Sequence, residues 1–304
     1  MSESGAPRDP VPIGEVAAPP FVRLPRPETM FRDRAARLRS LAPGHELGPY
    51  LFFLASLAEI QDRLQPELPA PAWPPPDAIE RAYGFGMPPL DRGAFQPDAA
   101  FAAALELLLS RLRGLAMPER AKEALMRLTG ADAAARRAMI GDVLGDAVPA
   151  AAFADHALLA AALQVHFSRL AAGLGAARLR PVGDGVCPAC GGPPAASLIV
   201  GWPGAHGTRF CACALCGTLW NYVRIKCTLC GSTEGIAYHG IEGDAGTIKA
   251  ETCDACRGYV KILYQHTEPA LDPIADDVAT LGLDLLVREA GFRRGAFNPF
   301  LLGY

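Results

Sequence analysis

The residues best placed to do chemistry in this 304-residue chain are its cysteines. All nine lie between positions 187 and 256, and eight of them form four C-x-x-C pairs. The pairs are Cys187/Cys190, Cys213/Cys216, Cys227/Cys230 and Cys253/Cys256. Two thiolates in C-x-x-C sit on one tight turn and can grip a single ion, and a second pair from a facing hairpin completes a tetrahedron. Adding 40 to each paired cysteine of the first half lands on one of the second, and 22 residues lie between the inner cysteines of each half. A fixed period of this size marks a duplicated unit. The equal gaps predict consecutive pairing, with 187, 190, 213 and 216 around one ion and 227, 230, 253 and 256 around another. Two sets of four soft ligands suit two metal ions, zinc or rubredoxin-like iron equally.

Glycine follows three of the pairs directly (Gly191, Gly217, Gly231), and Arg257 takes the equivalent place in the fourth. Glycine there permits the left-handed conformation such a turn needs. The ninth thiol, Cys211, has no cysteine mate; its repeat position falls on Glu251. It reads as a partly buried free thiol. His206, His239 and His266 read as bystanders, because each site already has four cysteines. A closed four-cysteine site leaves no open position for substrate. No nucleophile–base constellation, P-loop or dinucleotide fingerprint is present, so no catalytic residue is assigned and the chain reads as a non-enzyme.

The elements that hold this region follow from composition. Residues 1–20 carry five prolines and read as a mobile tail. Residues 21–181 read as an all-helical domain. Helix is predicted over 28–65 and again in stretches from 97 to 180. In the latter, Phe101, Leu105, Leu108 and Leu112 share one face, and the Ala-rich run near 148–175 reads as a central bundle helix. The segment near 65–97, with eight prolines in "LQPELPAPAWPPPDAIERAYGFGMPPL", is predicted to be a long extended connection or lid. Residues 182–225 and 226–268 read as the first and second metal units. Residues 269–304 hold a last helix and tail. In that helix Asp272 is the expected cap, Asp276 and Asp277 complement the positive helix end, and Ile274, Val278, Leu281 and Leu285 form one face that Gly291 closes. The predicted fold class is multidomain: a helical N-terminal domain, two tandem rubredoxin-like or zinc-ribbon units of small metal-bound β structure, and a C-terminal helix.

Net charge is −3. Between 187 and 266, six Lys or Arg face five acids. Thiolates add further negative charge, which opposes phosphate backbones and argues against a nucleic-acid-binding ribbon. The N-terminus lacks an apolar signal core, and the run "LGPYLFFLASLA" is too short for a span that needs roughly 20 residues. A cytoplasmic location without membrane insertion is expected. There, clustered C-x-x-C pairs mean metal or redox motifs rather than disulfides. The strand expected over "LWNYVRIK" joins the two units, Leu219, Asn221, Val223 and Ile225 alternating against Trp220, Tyr222, Arg224 and Lys226. The latter four are its candidate partner-binding residues, Trp, Tyr and Arg being common anchors, while Trp220 and Tyr222 also read as packing against the cysteine turns.

"CPACG", "CALCGTLWNYVRIKCTLC", "ETCDACRGYVKIL", "DPIADDVATLGLDLLVREAGFRR" and "NPFLL" together resemble the formate dehydrogenase accessory protein family, FdhE. The resemblance covers roughly residues 180–304. It implies a helical N-terminal domain followed by two rubredoxin-like metal domains, with iron as the metal and all eight paired cysteines as its ligands. It also implies a cytoplasmic assembly factor that binds the catalytic subunit of formate dehydrogenase before that enzyme is used or exported. An iron redox protein that transfers electrons during maturation is the alternative. Leu219 stands before Trp220 where the family commonly has an acid.

Overall fold

The structure is a computed structural model and describes residues 19–301. All but the last two residues of the expected N-terminal tail, and the last three residues of the chain, lie outside the described residues.

The N-terminal half is helical. Helix α1 (Pro27–Leu41) and helix α2 (Gly48–Leu64) form a hairpin. Helix was predicted straight through 28–65, but the chain turns over residues 42–47. Pro43 cannot donate a helical hydrogen bond, and Gly44 adopts φ 73°. Helices α4 (Ala99–Leu112), α5 (Glu119–Gly130) and α6 (Ala133–Leu144) then pack around α7 (Phe153–Ala172). Asp98 and Asp132 cap α4 and α6 by accepting from Phe101 N at 2.7 Å and Ala135 N at 2.8 Å. Phe101, Leu105, Leu108 and Leu112 are all buried, as their spacing predicts. The stretch Ala150–Ala172 has the length and hydropathy to cross a membrane, yet 67% of its apolar window is buried inside the protein as the bundle's central helix.

The proline-rich segment is not extended throughout. Its stretch Pro76–Phe85 forms helix α3. The prolines cluster ahead of it and at its first residue, where a missing N–H does no harm, and the nine residues after Pro76 are free of proline. Gly86 at φ 61° ends the helix.

The cysteine region folds into two tandem meanders joined in one continuous sheet. Strands β2 (Pro194–Ile199), β3 (Arg209–Cys213) and β4 (Leu219–Tyr222) make the first meander. Strands β5 (Ile236–His239), β6 (Ile248–Cys253) and β7 (Gly258–Leu263) make the second. Strand β2 pairs in parallel with β7, Ser197 opposite Ile262, and fuses the two. Strand β1 (Val22–Arg23), from the start of the helical half, extends the sheet at β4, and β8 (Arg293–Arg294) pairs with β7. The main core runs from the helices through Cys187, Cys190, Cys213 and Cys216, while a second core on the sheet gathers Leu198, Phe210, Tyr259, Leu283 and Val287.

The C-terminal helix is broken in two, α8 (Ala275–Ala279) and α9 (Leu281–Glu289). Asp272 caps it as expected, accepting from Ile274 N and Ala275 N. The expected apolar face is corrected: Leu285 is exposed, and Leu283 and Val287 are buried in its place. The break falls at Thr280. A buried ionic network gathers there. Lys261 from β7 donates to the carbonyls of Asp277 and Thr280 at 2.7 and 3.0 Å and lies 2.5 Å from Asp284 Oδ2. Arg294 pairs with Asp277 at 2.6 Å and with Asp284. Asp277 is therefore a buried ion-pair partner. Asp276 pairs with Arg37 at 2.6 Å and also accepts from Asp272 N at 2.7 Å, so it too serves the helix start.

Candidate metal centres

The offset of 40 residues is preserved in three dimensions. Cys187 and Cys190 sit on the turn before β2, Cys213 ends β3, and Cys216 lies on the turn before β4. Cys227, Cys230, Cys253 and Cys256 hold the same places before β5, at the end of β6 and before β7. Each leading turn closes identically: Gly191 N donates to Cys187 O at 2.9 Å, and Gly231 N to Cys227 O at 3.0 Å. Gly191, Gly217 and Gly231 have φ of 77°, 75° and 73°, and Arg257 takes the fourth left-handed position at φ 55°. A non-glycine residue there is disfavoured. Arg257 is held by its side chain, which stacks 3.9 Å from the Phe292 ring centroid and donates to Ala290 O at 3.1 Å.

Each set of four sulfurs lies with all atoms within 4.8 Å of one another. In the first, Cys187–Cys216 is 3.7 Å and Cys190–Cys213 is 3.4 Å; in the second, Cys227–Cys256 is 3.8 Å and Cys230–Cys253 is 3.7 Å. A tetrahedron with metal–sulfur bonds of about 2.3 Å has sulfur–sulfur edges of about 3.8 Å. Disulfide bonds would need about 2.05 Å. The residues fit a four-thiolate ion, and the pairing is consecutive within each half. Leu215 N and Leu229 N each donate to a cluster sulfur at 3.4 Å, and the Thr218 hydroxyl lies 3.1 Å from Cys216 Sγ.

Four thiols this close cannot all ionise unless a cation holds them together. Burial pushes the Cys187 thiol well above its usual range, and hydrogen bonds with neighbouring thiols do the same to Cys190. Burial also works against ionisation of Cys213, yet hydrogen bonds from the other three thiols and from Cys216 N hold it well below the usual range. In the second set burial raises Cys227 to about 12, while the Ser232 N–H lowers Cys230.

The two centres differ in their surroundings. All four cysteines of the first are buried, whereas Cys230 of the second is exposed and Cys256 half-buried. The first is clamped from the helical half. Gln164 of α7 donates to Ala214 O at 2.8 Å, and Leu90 N and Arg92 N donate to Ala189 O and Cys190 O at 2.9 and 3.2 Å. The proline-rich segment thus lies against the first cysteine turn, and Arg92 is fixed there by Asp146.

Cys211 belongs to neither centre. It is wholly rather than partly buried, its Sγ 3.8 Å from Ser197 Oγ, and burial pushes its thiol to about 11. Its repeat mate, Glu251, pairs with buried Arg209 at 2.8 Å across the two meanders. His239 bonds Thr252, and His206 lies against His266.

The four candidate partner-binding residues do not share one surface. Trp220 is 2% exposed, inside the main core opposite Val22 and Cys211. Tyr222 is half-buried and donates to Asp184 at 2.7 Å, and Lys226 pairs with the same carboxylate at 2.7 Å. Arg224 is exposed. Strand β4 ends at Tyr222, so the alternation expected through Lys226 stops there. Val223 and Ile225 are each 61% exposed beside Arg224, and the spacing rule assigned them to the other face. Sequence reasoning also missed Arg209, Glu251, Lys261 and Arg294 as buried structural charges. The only sequence signal was their position at alternate or near-terminal sites of short strands.

Two four-cysteine centres on a duplicated meander, set beneath a helical bundle, define a protein built around paired metal-binding turns. Three family models span nearly all of the described residues: "FdhE, N-terminal" over 19–184, "FdhE, central domain" over 186–224 and "FdhE, C-terminal domain" over 225–301. The chain belongs to the FdhE family. It is similar to a protein FdhE homolog of Rhizobium meliloti (strain 1021), 46% identical over 306 residues and covering 100% of both chains. Another, from Edwardsiella ictaluri (strain 93-146), is 36% identical over 91% of this chain and 90% of its own. The crystal structure of the FdhE protein from Pseudomonas aeruginosa matches with a TM-score of 0.82 at 34% identity, covering 93% of this chain and 99% of that one.

Proposed function

We propose that this chain is a cytoplasmic assembly factor, not an enzyme, that binds the catalytic subunit of formate dehydrogenase before that enzyme is used or exported. The observation that carries this reading is membership of the FdhE family along the whole chain, with both four-cysteine centres intact. Cys187, Cys190, Cys213 and Cys216 would hold one ion and Cys227, Cys230, Cys253 and Cys256 a second, iron or zinc. A bound ion would cross-link each pair of turns and contribute folding energy. The partner surface is assigned to Val223, Arg224 and Ile225, two apolar side chains and an arginine exposed where the two meanders join.

The test is an affinity pull-down of the tagged protein from its host grown on formate, with partners identified by mass spectrometry. Recovery of the dehydrogenase catalytic subunit, lost with Val223→Asp/Ile225→Asp but with folding and metal content unchanged, supports both the function and the surface. Absence of that subunit from the wild-type capture counts against the function, and its retention by the variant counts against the surface.

Exposed Cys230 favours one second reading, in which iron at the second centre passes electrons during maturation. Visible absorbance that bleaches on reduction and returns on oxidation would support it; a colourless, zinc-filled protein would remove it. Arg209 and Lys261, two of the basic residues counted toward a nucleic-acid face, are spent in buried ion pairs.

A further inference from the structure

A cavity of about 640 Å3 opens between the N-terminal half of α1, the face of β3 and β4, and the loop that leads into α8. It borders the first metal centre at Cys213 and Gly217 without being part of it. Its volume lies in the range of small-molecule sites. Its walls carry Arg23, Arg26, Arg34 and Arg37.

These arginines are not all neutralised. Arg37 is taken up by Asp276 and Glu268, at 2.6 and 2.7 Å. Arg34 is 4% exposed and reaches Asp272 only through Nε at 3.4 Å; its Nη1 is buried without a hydrogen-bond partner. A buried guanidinium donor left open is expensive. Arg23 and Arg26 are exposed at the rim and have no acidic partner among the described residues. The Arg23 guanidinium lies 4.3 Å from the Trp202 ring centroid, which leaves its edge free to donate. Burial, and then the like charge of Arg26, lowers the Arg23 pKa, so the two cations oppose each other. Exposed Asp33 is the one remaining acid on the wall. No side chain caps the N-terminus of α1, and its cap residue Arg26 and first-turn Thr29 line the same cavity. The positive end of a helix adds to the same field.

We propose that this cavity binds the phosphoryl group of a small molecule, held by Arg23 and Arg26 at the start of α1 with Arg34 on the inner wall. Guanidinium forks match phosphate oxygens in pairs. A phosphoryl group carries nearly two negative charges, which suits two unpaired arginines better than a single carboxylate does. Free phosphate and a phosphate ester present the same chemistry, and ligand size separates them.

The experiment is isothermal titration of the full-length, metal-loaded protein with pyrophosphate, ADP and citrate at matched ionic strength. Metal loading matters because four thiolates behind Cys213 oppose an anion. Pyrophosphate or ADP is expected to bind saturably, and Arg23→Gln/Arg26→Gln to weaken binding by about tenfold or more. Both positions are exposed, so this variant keeps its fold; Arg34→Met is the second variant, checked for folding by circular dichroism. Exposed Arg137→Gln on α6 serves as the control and should change nothing. Tighter binding of ADP assigns a phosphate ester, and equal binding assigns the phosphoryl group alone. No saturable binding of either phosphate probe, citrate binding as tight as pyrophosphate, or affinity unchanged in the double variant would each overturn the proposal.

Discussion

At the scale of single residues, buried charge explains more than surface charge does. Lys261, Asp277 and Asp284 have no exposed side-chain surface, and Arg294 has 7%. Tyr259 and Asn298 complete the set at 2.8 and 2.9 Å. Such a network survives only if every member is satisfied, because an orphaned charge cannot return to water. Lys261→Met should destabilise by about 3–5 kcal/mol in urea unfolding. A loss below about 1 kcal/mol would show that Asp277 and Asp284 are held well enough by Arg294 alone. His166 is a different case. It sits among Phe95, Phe101 and Phe167 with its Nδ1 3.7 Å from Asp98, and burial lowers its pKa. The folded state then binds fewer protons than the unfolded state just below about pH 6.5, so stability falls as pH drops through that value. Unfolding midpoints at pH 7.5 and 5.5 should fall further for the wild type than for His166→Phe. Equal slopes would mean that His166 is not the group responsible.

At the scale of elements, glycines show which backbone positions are constrained. Gly191 is left-handed, and an added Cβ would meet Pro88 Cγ at 3.3 Å, where the proline-rich segment crosses the first cysteine turn. Gly191→Ala should therefore cost about 1–2 kcal/mol from the backbone alone. Gly84, inside α3, has open space around it and no left-handed φ. Gly84→Ala should stabilise by about 0.5–1 kcal/mol. Thermal denaturation of the two variants side by side checks the pair; shifts in the same direction would contradict the assignment. Helix α3 itself was hidden in the sequence by the prolines around it, whose density suggested an extended chain. Their positions, outside the helix except for Pro76 at its first residue, carried the opposite message.

At the scale of the whole molecule, the two metal centres occupy unequal places. The first is inside the core that joins helices to sheet, and the second is at the sheet's far end with Cys230 exposed. A chelator competes for an ion only where the ligands can open to water. Titration with a chelator should remove one equivalent of metal from the second centre while the helical circular dichroism persists. The second equivalent should leave only as the fold melts. Simultaneous loss, or Cys227/Cys230 variants that strip no more easily than Cys187/Cys190 variants, would overturn this order. The parallel pairing of β2 with β7 makes both meanders one sheet, so melting of the second should also expose Ser197 and Ile262 to hydrogen exchange.

The sequence by itself determined which cysteines gather in each cluster, since cysteine spacing is a local property and the offset of 40 repeats it. It also determined the left-handed turns, from Gly191, Gly217, Gly231 and the odd Arg257, and the burial of Phe101, Leu105, Leu108 and Leu112, from a period that a single helix imposes. Tertiary structure alone decided the rest. Trp220 reads as either an anchor or a packed residue, and the main core decides for packing, with Val22, from 198 residues earlier, paired beside it. Lys261 and Arg209 read as surface charge until Asp284 and Glu251 arrive from other elements. The two tandem ribbons become one sheet only where β2 meets β7. In each case the deciding partner is distant along the chain, and burial, hydrogen bonding and charge pairing depend on what comes to lie next to a residue rather than on what precedes it.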